Sequence, residues 1–386
     1  MRVLMIVTEK LPVPPVRGGA IQTYVAAVAP LLAHRFDLTV LGVTDPTLPE
    51  EERVDGVHYV RVPGGNLDRY REEVLAFLKS RRFDLIHIFN RPLLVLPVRQ
   101  AAPDARLILS LHNDMFEPHK IVPEEAQAVI DTVERLVTVS DYVGRRVAEL
   151  YPPAQNKWRT IYSGVDVRKF LPVWAPEAAP IRQAIRRSHE LEGKKVILFV
   201  GRLSPKKGAD VLVRAMPFVA RDHPDVALVL VGSKWYGEQR ISDYVAYVRA
   251  LAARAPVPVV TTGFVPPDQI PQWFLAGDVF VCPSLWNEPL ARVHYEAMAS
   301  GLPIITTNRG GNPEVVAGQG VGLVVDQPED PQDMAAAIIR LLDDRNLRER
   351  MGRTGRRLAE ERYPWSRVAR EIAEVWTAPP TLKQDR

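Results

Sequence analysis

Short apolar runs that alternate with longer amphipathic stretches are the feature that most constrains the fold of this 386-residue chain. Each run is nearly continuous in apolar residues and lacks the polar alternation of a half-exposed strand. Such strands are buried on both faces, as in parallel sheets covered by helices. The first half predicts helices such as Ile21–Ala33 and Arg69–Ser80, and strands at Val3–Val7, Leu38–Val43, His58–Val62, Leu85–Ile88, Leu107–Leu111 and Leu136–Val139.

A second series of the same kind follows a Pro- and Ala-rich stretch at 174–179 and a charged stretch that ends at Lys195. Its predicted strands are Val196–Val200, Ala227–Val231, Val257–Thr261, Val279–Cys282, Ile304–Thr306 and Gly322–Val325. A chain of this length favours two domains. We therefore expect two Rossmann-like, doubly wound sheets facing across a cleft. The predicted parts are an N-terminal domain over 1–170, a linker over 171–192, a C-terminal domain over 193–363 and a final helix over about 364–377.

Composition excludes several classes of protein. Hydrophobic residues make up 46% of the chain and charged residues 25%, which is typical of a globular protein with real cores. The net charge of +4 is too balanced to indicate nucleic-acid binding. The single cysteine, Cys282, excludes an intramolecular disulfide and a multi-cysteine metal site, and its apolar surroundings predict a buried thiol. No run of 18 apolar residues appears, so we expect a cytoplasmic protein.

Two glutamates eight residues apart, Glu288 and Glu296, are the strongest sign of chemistry. Pro289 suits the first turn of a helix and Gly301 suits its end, so Glu288 is predicted at the helix mouth and Glu296 about two turns inside, roughly 12 Å further along the axis. Free N–H groups at a helix mouth attract phosphate. A nucleotide-sugar along this helix would meet one carboxylate at its sugar and the other at its ribose. The same spacing also occurs by chance on surface helices.

The surrounding residues resemble those of the retaining GT-B glycosyltransferases of family 4, over nearly the whole chain. The pattern Glu-x7-Glu is followed by Ala-Met-Ala-Ser-Gly-Leu-Pro-Ile-Ile and by Gly310-Gly311-Asn312-Pro313-Glu314. Earlier matches, in order, are Arg17-Gly18-Gly19-Ala20, Ser110-Leu111-His112-Asn113-Asp114, Val139-Ser140, Ser163-Gly164-Val165-Asp166 and the segment Phe199–Gly208. The wording of residues 288–296 is most similar to that of bacterial spore-coat-associated transferases.

The resemblance implies sugar transfer from a nucleotide-sugar, with a UDP-sugar expected, and with neither a metal nor a cofactor. It also implies that the final helix over about 364–377 crosses back to the N-terminal domain. It implies a front-face mechanism in which the donor phosphate helps to deprotonate the acceptor. The implied acceptor is a glycan, a lipid-linked sugar or a small molecule. Asn287 and the pair His294-Tyr295 depart from the commonest family pattern, which puts the identity of the sugar in doubt.

Two cations near the end of a predicted strand, Arg202 and Lys207, suit a pyrophosphate leaving group, because ligands bind at the carboxyl edge of parallel sheets. Without the resemblance, they would be interpreted as solvated loop charges. The family implies that His112 lies against the donor sugar, that Glu288 contacts sugar hydroxyls and that Glu296 accepts hydrogen bonds from the ribose. The other expected substrate-binding residues are Gly18, Gly19, Val265, Leu290, Ala291, Gly310, Gly311 and Asn312.

Several alternatives stay open at this point. In one alternative, the chain is a GT-B sugar epimerase. In another, it is a non-catalytic spore-coat or carbohydrate-binding module. A metal cluster of His112, Asp114, Glu117 and His119 is disfavoured, because GT-B enzymes generally need no metal. The basic segment 345–357 alternates with apolar residues at helical spacing, which favours a solvated helix face over a nucleic-acid or membrane patch. Weak peripheral contact with a membrane, or association with a spore coat, remains an alternative, and the sequence specifies no oligomeric state.

Overall fold

The computed structural model describes residues 1–234 and 241–379 and divides the chain into two compact units. Unit 1 contains Met1–Ser163 and the segment that starts at Trp365, and unit 2 contains Gly164–Pro364. Each unit is built on a mainly parallel sheet whose central strands are buried on both faces. The prediction of two Rossmann-like domains is therefore confirmed.

In the described part of unit 1, eight strands form one sheet in the order β3-β4-β2-β1-β5-β6-β7-β8. The strands are β1 (Arg2–Ile6), β2 (Asp37–Val43), β3 (Glu51–Val54), β4 (Val57–Val62), β5 (Leu85–Phe89), β6 (Arg106–Leu111), β7 (Arg135–Thr138) and β8 (Trp158–Thr160). The helices between them are α1 (Ala20–Ala33), α2 (Leu67–Lys79), α3 (Val95–Ala101), α4 (Pro123–Thr132) and α5 (Asp141–Leu150). All pairings are parallel except that of β3 with β4.

In the described part of unit 2, six parallel strands follow the order β11-β10-β9-β12-β13-β14. The strands are β9 (Lys195–Val200), β10 (Val226–Val231), β11 (Val259–Thr261), β12 (Val279–Cys282), β13 (Ile304–Thr307) and β14 (Gly322–Val325). The helices are α6 (Ala178–Ser188), α7 (Ala209–Asp222), α8 (Asp243–Ala252), α9 (Ile270–Ala276), α10 (Val293–Ala299), α11 (Pro331–Asp343) and α12 (Arg345–Glu361). The strand order reverses between β9 and β12, which is where a doubly wound sheet opens a crevice for ligands.

The segment predicted as a linker, 171–192, instead contains helix α6, which packs against α9 inside unit 2. Arg182 donates to the Leu275 carbonyl oxygen and to Asp278 Oδ1, both at 2.5 Å. Arg186 donates to Asp278 Oδ2 at 2.7 Å. These polar contacts add to a short apolar stripe on the helix, which the Pro-rich and charged composition of the segment obscures in the sequence. The division of the chain accordingly falls between Ser163 and Gly164 and not after residue 170.

The C-terminal helix α13 (Trp365–Thr377) belongs to unit 1, where it packs against α1. Its apolar face joins the same core as the buried face of α1 and includes Val368, Ile372 and Trp376. The indole Nε1 of Trp376 donates to Nδ1 of the buried His87 at 3.1 Å, and His87 Nε2 lies 2.7 Å from Ser110 Oγ. Burial lowers the pKa of His87 to about 3, so its ring is neutral at neutral pH.

Candidate functional site

Two loops meet at the carboxyl edge of the sheet in unit 2, one after β9 and one after β12. Gly208, which precedes α7, has φ +69°, and a Cβ at this position would lie 2.0 Å from the Pro283 carbonyl oxygen. The Leu285 N–H donates to the Lys206 carbonyl oxygen at 2.9 Å. The close approach requires glycine. It brings Lys207 to the residues that follow β12.

The carboxylate of Glu288 lies at the centre of this site and is 7% exposed. Lys207 Nζ donates to its Oε1, and Ser284 Oγ donates to its Oε2 at 2.5 Å. Burial alone would raise the pKa of Glu288, but the charge of Lys207 and the hydrogen bonds from Lys207 and Ser284 outweigh it, so the pKa lies below its usual value. Glu288 is therefore ionised at neutral pH, and each of its carboxylate oxygens accepts a hydrogen bond.

The backbone of Glu288 is held by the glycine turn after β13. The Gly311 N–H donates to the Glu288 carbonyl oxygen at 2.8 Å. Gly310 has φ +60°, and a Cβ there would lie 2.0 Å from that same carbonyl oxygen. The predicted site residues Gly310 and Gly311 thus lie beside Glu288, and the contact that the structure gives them is with its main chain.

The predicted helix from Pro289 is wrong in its start, because α10 begins only at Val293 and has seven residues. Glu288 therefore precedes the helix, and Glu296 lies in its first turn. The Ala291 N–H donates to Asn312 Oδ1 at 3.0 Å, which holds the preceding segment outside the helix. A phosphate at this amide would have to replace Asn312 as its acceptor, and the predicted role of Ala291 in phosphate binding stays a prediction.

The remaining predicted residues of this segment differ in exposure. Leu290 is half-buried, whereas Asn312 is fully buried and contacts Ala291. Arg292 donates to Glu296 Oε1 at 3.3 Å, and burial raises the pKa of Glu296 although Arg292 opposes the shift. A ribose hydroxyl could stabilise that ionised carboxylate by donating to it.

The two lysines after β9 have different surroundings. Lys207 is half-buried against Glu288, whereas Lys206 is exposed and its Nζ lies 4.9 Å from the ring centroid of Trp286. Arg202 follows β9 directly and is half-buried. Lys207 therefore lies against the Glu288 carboxylate and Lys206 lies away from it, and the assignment of Lys207 to the pyrophosphate stays a prediction.

A cavity of about 190 Å³ opens at the carboxyl ends of β9, β10 and β11. Most of its lining comes from main chain, small polar residues and aliphatic side chains. The lining residues are Leu203, Gly232, Ser233, Ile241, Val245, Arg249, Thr261, Thr262 and Gly263. Val265, the residue predicted here, lies two positions beyond Gly263 and is not among them.

Unit 1 carries the other predicted residues at the carboxyl edge of its own sheet. His112 follows β6, and its backbone N–H donates to Asn90 Oδ1 at 3.0 Å. The ring of the buried Tyr24 packs edge-on against the imidazole, with the centroids 4.9 Å apart. Gly18 and Gly19 both have positive φ values, 88° and 110°, and form the turn that leads into α1.

Two residues of the site in unit 2 were missed by the sequence analysis, namely Ser284 as the partner of Glu288 and His294 as a partner of Ala291. Ser284 gives a signal, because it is a polar residue just past a buried strand at the ligand-binding edge. His294 gives no such signal in the sequence, apart from its departure from the family pattern. Its interaction depends on the way residues 288–292 turn, which local sequence does not specify.

The described residues contain neither a metal-binding cluster nor a membrane-spanning helix. No group of three or more His, Cys, Asp or Glu side chains within 1–234 and 241–379 is arranged to hold a metal ion. Across the same ranges, no helix combines the length and apolar character needed to cross a membrane. Cys282 is 5% exposed, and burial raises the pKa of its thiol to about 11, as expected for a buried core thiol.

Comparison with known proteins identifies the family. Residues 181–358 match the model for glycosyl transferases group 1, and residues 18–169 match that for Glycosyltransferase Family 4. The chain is 48% identical over 376 residues to Spore coat protein SA of Bacillus subtilis (strain 168), a match that covers 97% of this chain and 99% of that protein. The chain belongs to the family 4 glycosyltransferases.

More distant relatives of this family 4 glycosyltransferase share its full length. It is 28% identical over 398 residues to the GDP-mannose-dependent alpha-(1-6)-phosphatidylinositol monomannoside mannosyltransferase of Mycobacterium tuberculosis (strain CDC 1551 / Oshkosh), with 97% of each chain covered. The crystal structure of HepE from Anabaena in complex with UDP and glucose superposes with a TM-score of 0.78 at 23% identity, covering 98% of this chain and 100% of HepE. That likeness shows the fold, GT-B.

Proposed function

We propose that this family 4 glycosyltransferase transfers a sugar from a UDP-sugar to a carbohydrate acceptor with retention of anomeric configuration and without a metal. The observation that carries the proposal is the cluster of Lys207, Glu288 and Ser284, with Arg202 on the adjoining loop, at the switch point of the sheet in unit 2. Cations at that edge suit a pyrophosphate, and a carboxylate beside them suits the hydroxyls of the attached sugar.

In the proposed reaction, the bond between the anomeric carbon and the phosphate oxygen breaks while the acceptor oxygen bonds to the same face of that carbon. The acceptor proton passes to the departing phosphate. Arg202 and Lys207 would stabilise the negative charge that develops on the pyrophosphate. Both oxygens of Glu288 are engaged by Lys207 and Ser284 and its pKa is lowered, which favours a sugar-binding role over that of a covalent nucleophile.

The cavity at β9–β11 is where we place the base of the donor, and its lining can hold uracil. Among its described lining residues, Arg249 is the charged one, and a guanidinium can only donate hydrogen bonds. Uracil carbonyls can accept from such donors. Guanine also offers acceptors, O6 and N7, that a guanidinium binds, so Arg249 suits either base. The solved HepE complex contains UDP, whereas the mycobacterial relative is named as GDP-mannose-dependent, so the preference needs a direct measurement.

The acceptor that we propose is a glycan or lipid-linked carbohydrate. The 48% identity to a protein named for the spore coat supports a coat glycan as one such acceptor. Weak peripheral membrane contact stays a proposal of the same kind, to be tested by sedimentation with anionic vesicles.

Calorimetry with UDP, GDP and ADP tests the donor assignment. We expect UDP to bind most tightly and Arg202→Ala to weaken its binding at least tenfold, because the pyrophosphate loses a charge-assisted contact. Arg221→Ala is the matched control, since Arg221 is exposed in the last turn of α7, which leads to the opposite edge of the sheet. Tightest binding of GDP would replace the UDP assignment, and equal losses in both variants would contradict the site.

Turnover separates a transferase from a binding module or an epimerase. Glu288→Gln keeps the shape of the side chain and removes its charge. We expect sugar release from the donor to fall about 10²–10³-fold, the magnitude typical of losing one preorganised electrostatic contact to a transition state. A wild-type protein that binds UDP-sugar and leaves it unchanged would favour the binding module. Recovery of a donor epimer would favour the epimerase.

A further inference from the structure

The imidazole of His294 is buried under the segment that joins Glu288 to α10. His294 is 0% exposed, with Nδ1 at 2.8 Å from the Ala291 carbonyl oxygen and Nε2 at 2.8 Å from Thr306 Oγ1. A carbonyl oxygen can only accept, so Nδ1 carries the proton and donates to Ala291. In the neutral ring, Nε2 then accepts from the hydroxyl of Thr306, which lies in β13. The ring thus ties the segment to a central strand.

The other backbone polar group of the same residue, the Ala291 N–H, is engaged by a different side chain. The Ala291 N–H donates to Oδ1 of the fully buried Asn312 at 3.0 Å. Asn312 follows Gly311, whose N–H donates to the Glu288 carbonyl oxygen at 2.8 Å. A continuous set of hydrogen bonds therefore runs from Thr306 through His294, Ala291 and the glycine turn to Glu288.

We propose that His294 is a positioning residue, which fixes residues 288–292 and thereby sets where the Glu288 carboxylate meets the donor sugar. The proposal rests on the function proposed above and deepens it, because it separates recognition of the sugar from recognition of the nucleotide. None of the described residues that line the β9–β11 cavity belongs to this hydrogen-bonded set. The pyrophosphate cation Lys207 contacts Glu288, but its own loop after β9 is held by the Gly208 turn and not by residues 288–292. Disturbing His294 should therefore affect the sugar far more than the nucleotide.

Two variants of His294 test the proposal. His294→Leu replaces the imidazole by an apolar side chain of similar size and removes both hydrogen bonds. His294→Asn places an amide N–H close to the position of Nδ1 and can still donate to Ala291. The probes are UDP and whichever of UDP-glucose, UDP-galactose and UDP-N-acetylglucosamine the wild type binds most tightly, with dissociation constants from calorimetry and kcat and KM from donor turnover.

For His294→Leu, we expect UDP affinity within twofold of wild type, and a loss of at least tenfold in UDP-sugar affinity or in kcat for the sugar. His294→Asn should recover most of that loss. Equal losses for UDP and UDP-sugar, no loss for either, or no difference between Leu and Asn would overturn the proposal. If the Leu variant does not fold, Thr306→Val removes the hydrogen bond from the other side and must show the same selective loss, or the proposal fails.

The proposed function and the role of His294 fail in different ways. A wild-type protein that binds none of the nucleotides contradicts the function itself, and the role of His294 falls with it. A wild-type protein that binds UDP-sugar normally, beside variants that do the same, contradicts only the role of His294.

Discussion

Ser284 shows how one hydroxyl can set the charge of the site. It is fully buried, donates to Glu288 Oε2 at 2.5 Å, and has its own carbonyl oxygen bound by Thr307 Oγ1 at 2.6 Å. A buried carboxylate needs such donors to stay ionised. Because the pKa of Glu288 is held below its usual value, its stabilising contribution is present at neutral pH and is lost as the pH falls through that lowered value.

Ser284→Ala should raise the pKa of Glu288, since a hydrogen bond to a charged group contributes about 1.5–3 kcal/mol and one pKa unit corresponds to about 1.4 kcal/mol. We expect the acid limb of the pH–rate profile of donor turnover to move to higher pH by about one to two units. Turnover well above that limb should change less.

Ser300→Ala is the matched control for this measurement. Ser300 is also fully buried in unit 2, and within the described residues its hydroxyl has no hydrogen-bond partner. Its replacement should leave the acid limb in place. An acid limb that shifts equally in both variants, or in neither, would show that Ser284 does not control the ionisation of Glu288.

Individual residues of the site were predictable where their type and strand position agreed. Lys207 and Glu288 are charged residues close after β9 and β12, and their meeting follows from the sheet edge that parallel strands share. Asn312 is predicted to bind substrate, and the structure gives it a main-chain partner, Ala291, because a buried amide in a turn satisfies the nearest free N–H. Side-chain partners across such turns depend on tertiary packing.

At the scale of elements, the strands were predicted most closely and the irregular segments least. Continuous apolar runs predict the bounds of β9 and β12 to within one residue, because a strand that is buried on both faces must be apolar along its whole length. Helix α10 starts later than predicted, at Val293, since Pro289 is compatible with a helix start without requiring one. Helix α6 escapes prediction because its short apolar stripe lies in a Pro-rich, charged segment and arginines supply part of its anchoring.

Gly208 offers a test of how the two loops are brought together. Gly208→Ala should destabilise unit 2 by more than the roughly 1–2 kcal/mol that a left-handed conformation costs an L-residue, because the new Cβ would also meet the Pro283 carbonyl oxygen. Since the clash pushes Lys207 away from Glu288, UDP affinity should fall as well. Chemical denaturation and calorimetry measure the two effects.

Gly193→Ala provides the comparison, because Gly193 has φ +72° and a Cβ added there would meet no described atom within 4 Å. The Gly193→Ala variant should lose only the free energy of unfolding that the left-handed conformation costs, and its UDP affinity should equal that of the wild type. Equal stability losses and unchanged UDP affinity in both variants would mean that the loop contact is not needed.

For the whole molecule, unit 1 is completed by a helix that lies at the far end of the sequence. Helix α13 contributes Val368, Ile372 and Trp376 to the core that contains the buried face of α1. Arg106 also donates to the Trp376 carbonyl oxygen at 2.6 Å. The helical periodicity predicted this element, whereas its polar ties to Arg106 and His87 connect residues too distant in sequence for any local pattern to reveal.

Trp376→Ala should destabilise unit 1 by about 3–5 kcal/mol, because it removes a fully buried aromatic side chain and leaves a cavity. Hydrogen exchange should show faster opening of α1 and little change in α7. The control is Trp174→Ala in unit 2, where the side chain is 40% exposed and the loss should be smaller. Faster exchange of α7 than of α1 in the Trp376 variant would contradict the assignment of α13 to unit 1.

The position of α13 in the sequence also determines when the core of unit 1 can be completed during synthesis on the ribosome. Unit 2 is an insertion of roughly 200 residues between the body of unit 1 and its closing helix. At a synthesis rate of about 5–20 residues per second, the first unit waits on the order of 10–40 s for that helix. During this interval, the α1 face that α13 will cover is open apolar surface. The part of the protein that is made first therefore finishes folding last, and a nascent-chain chaperone would have its longest access to this molecule there.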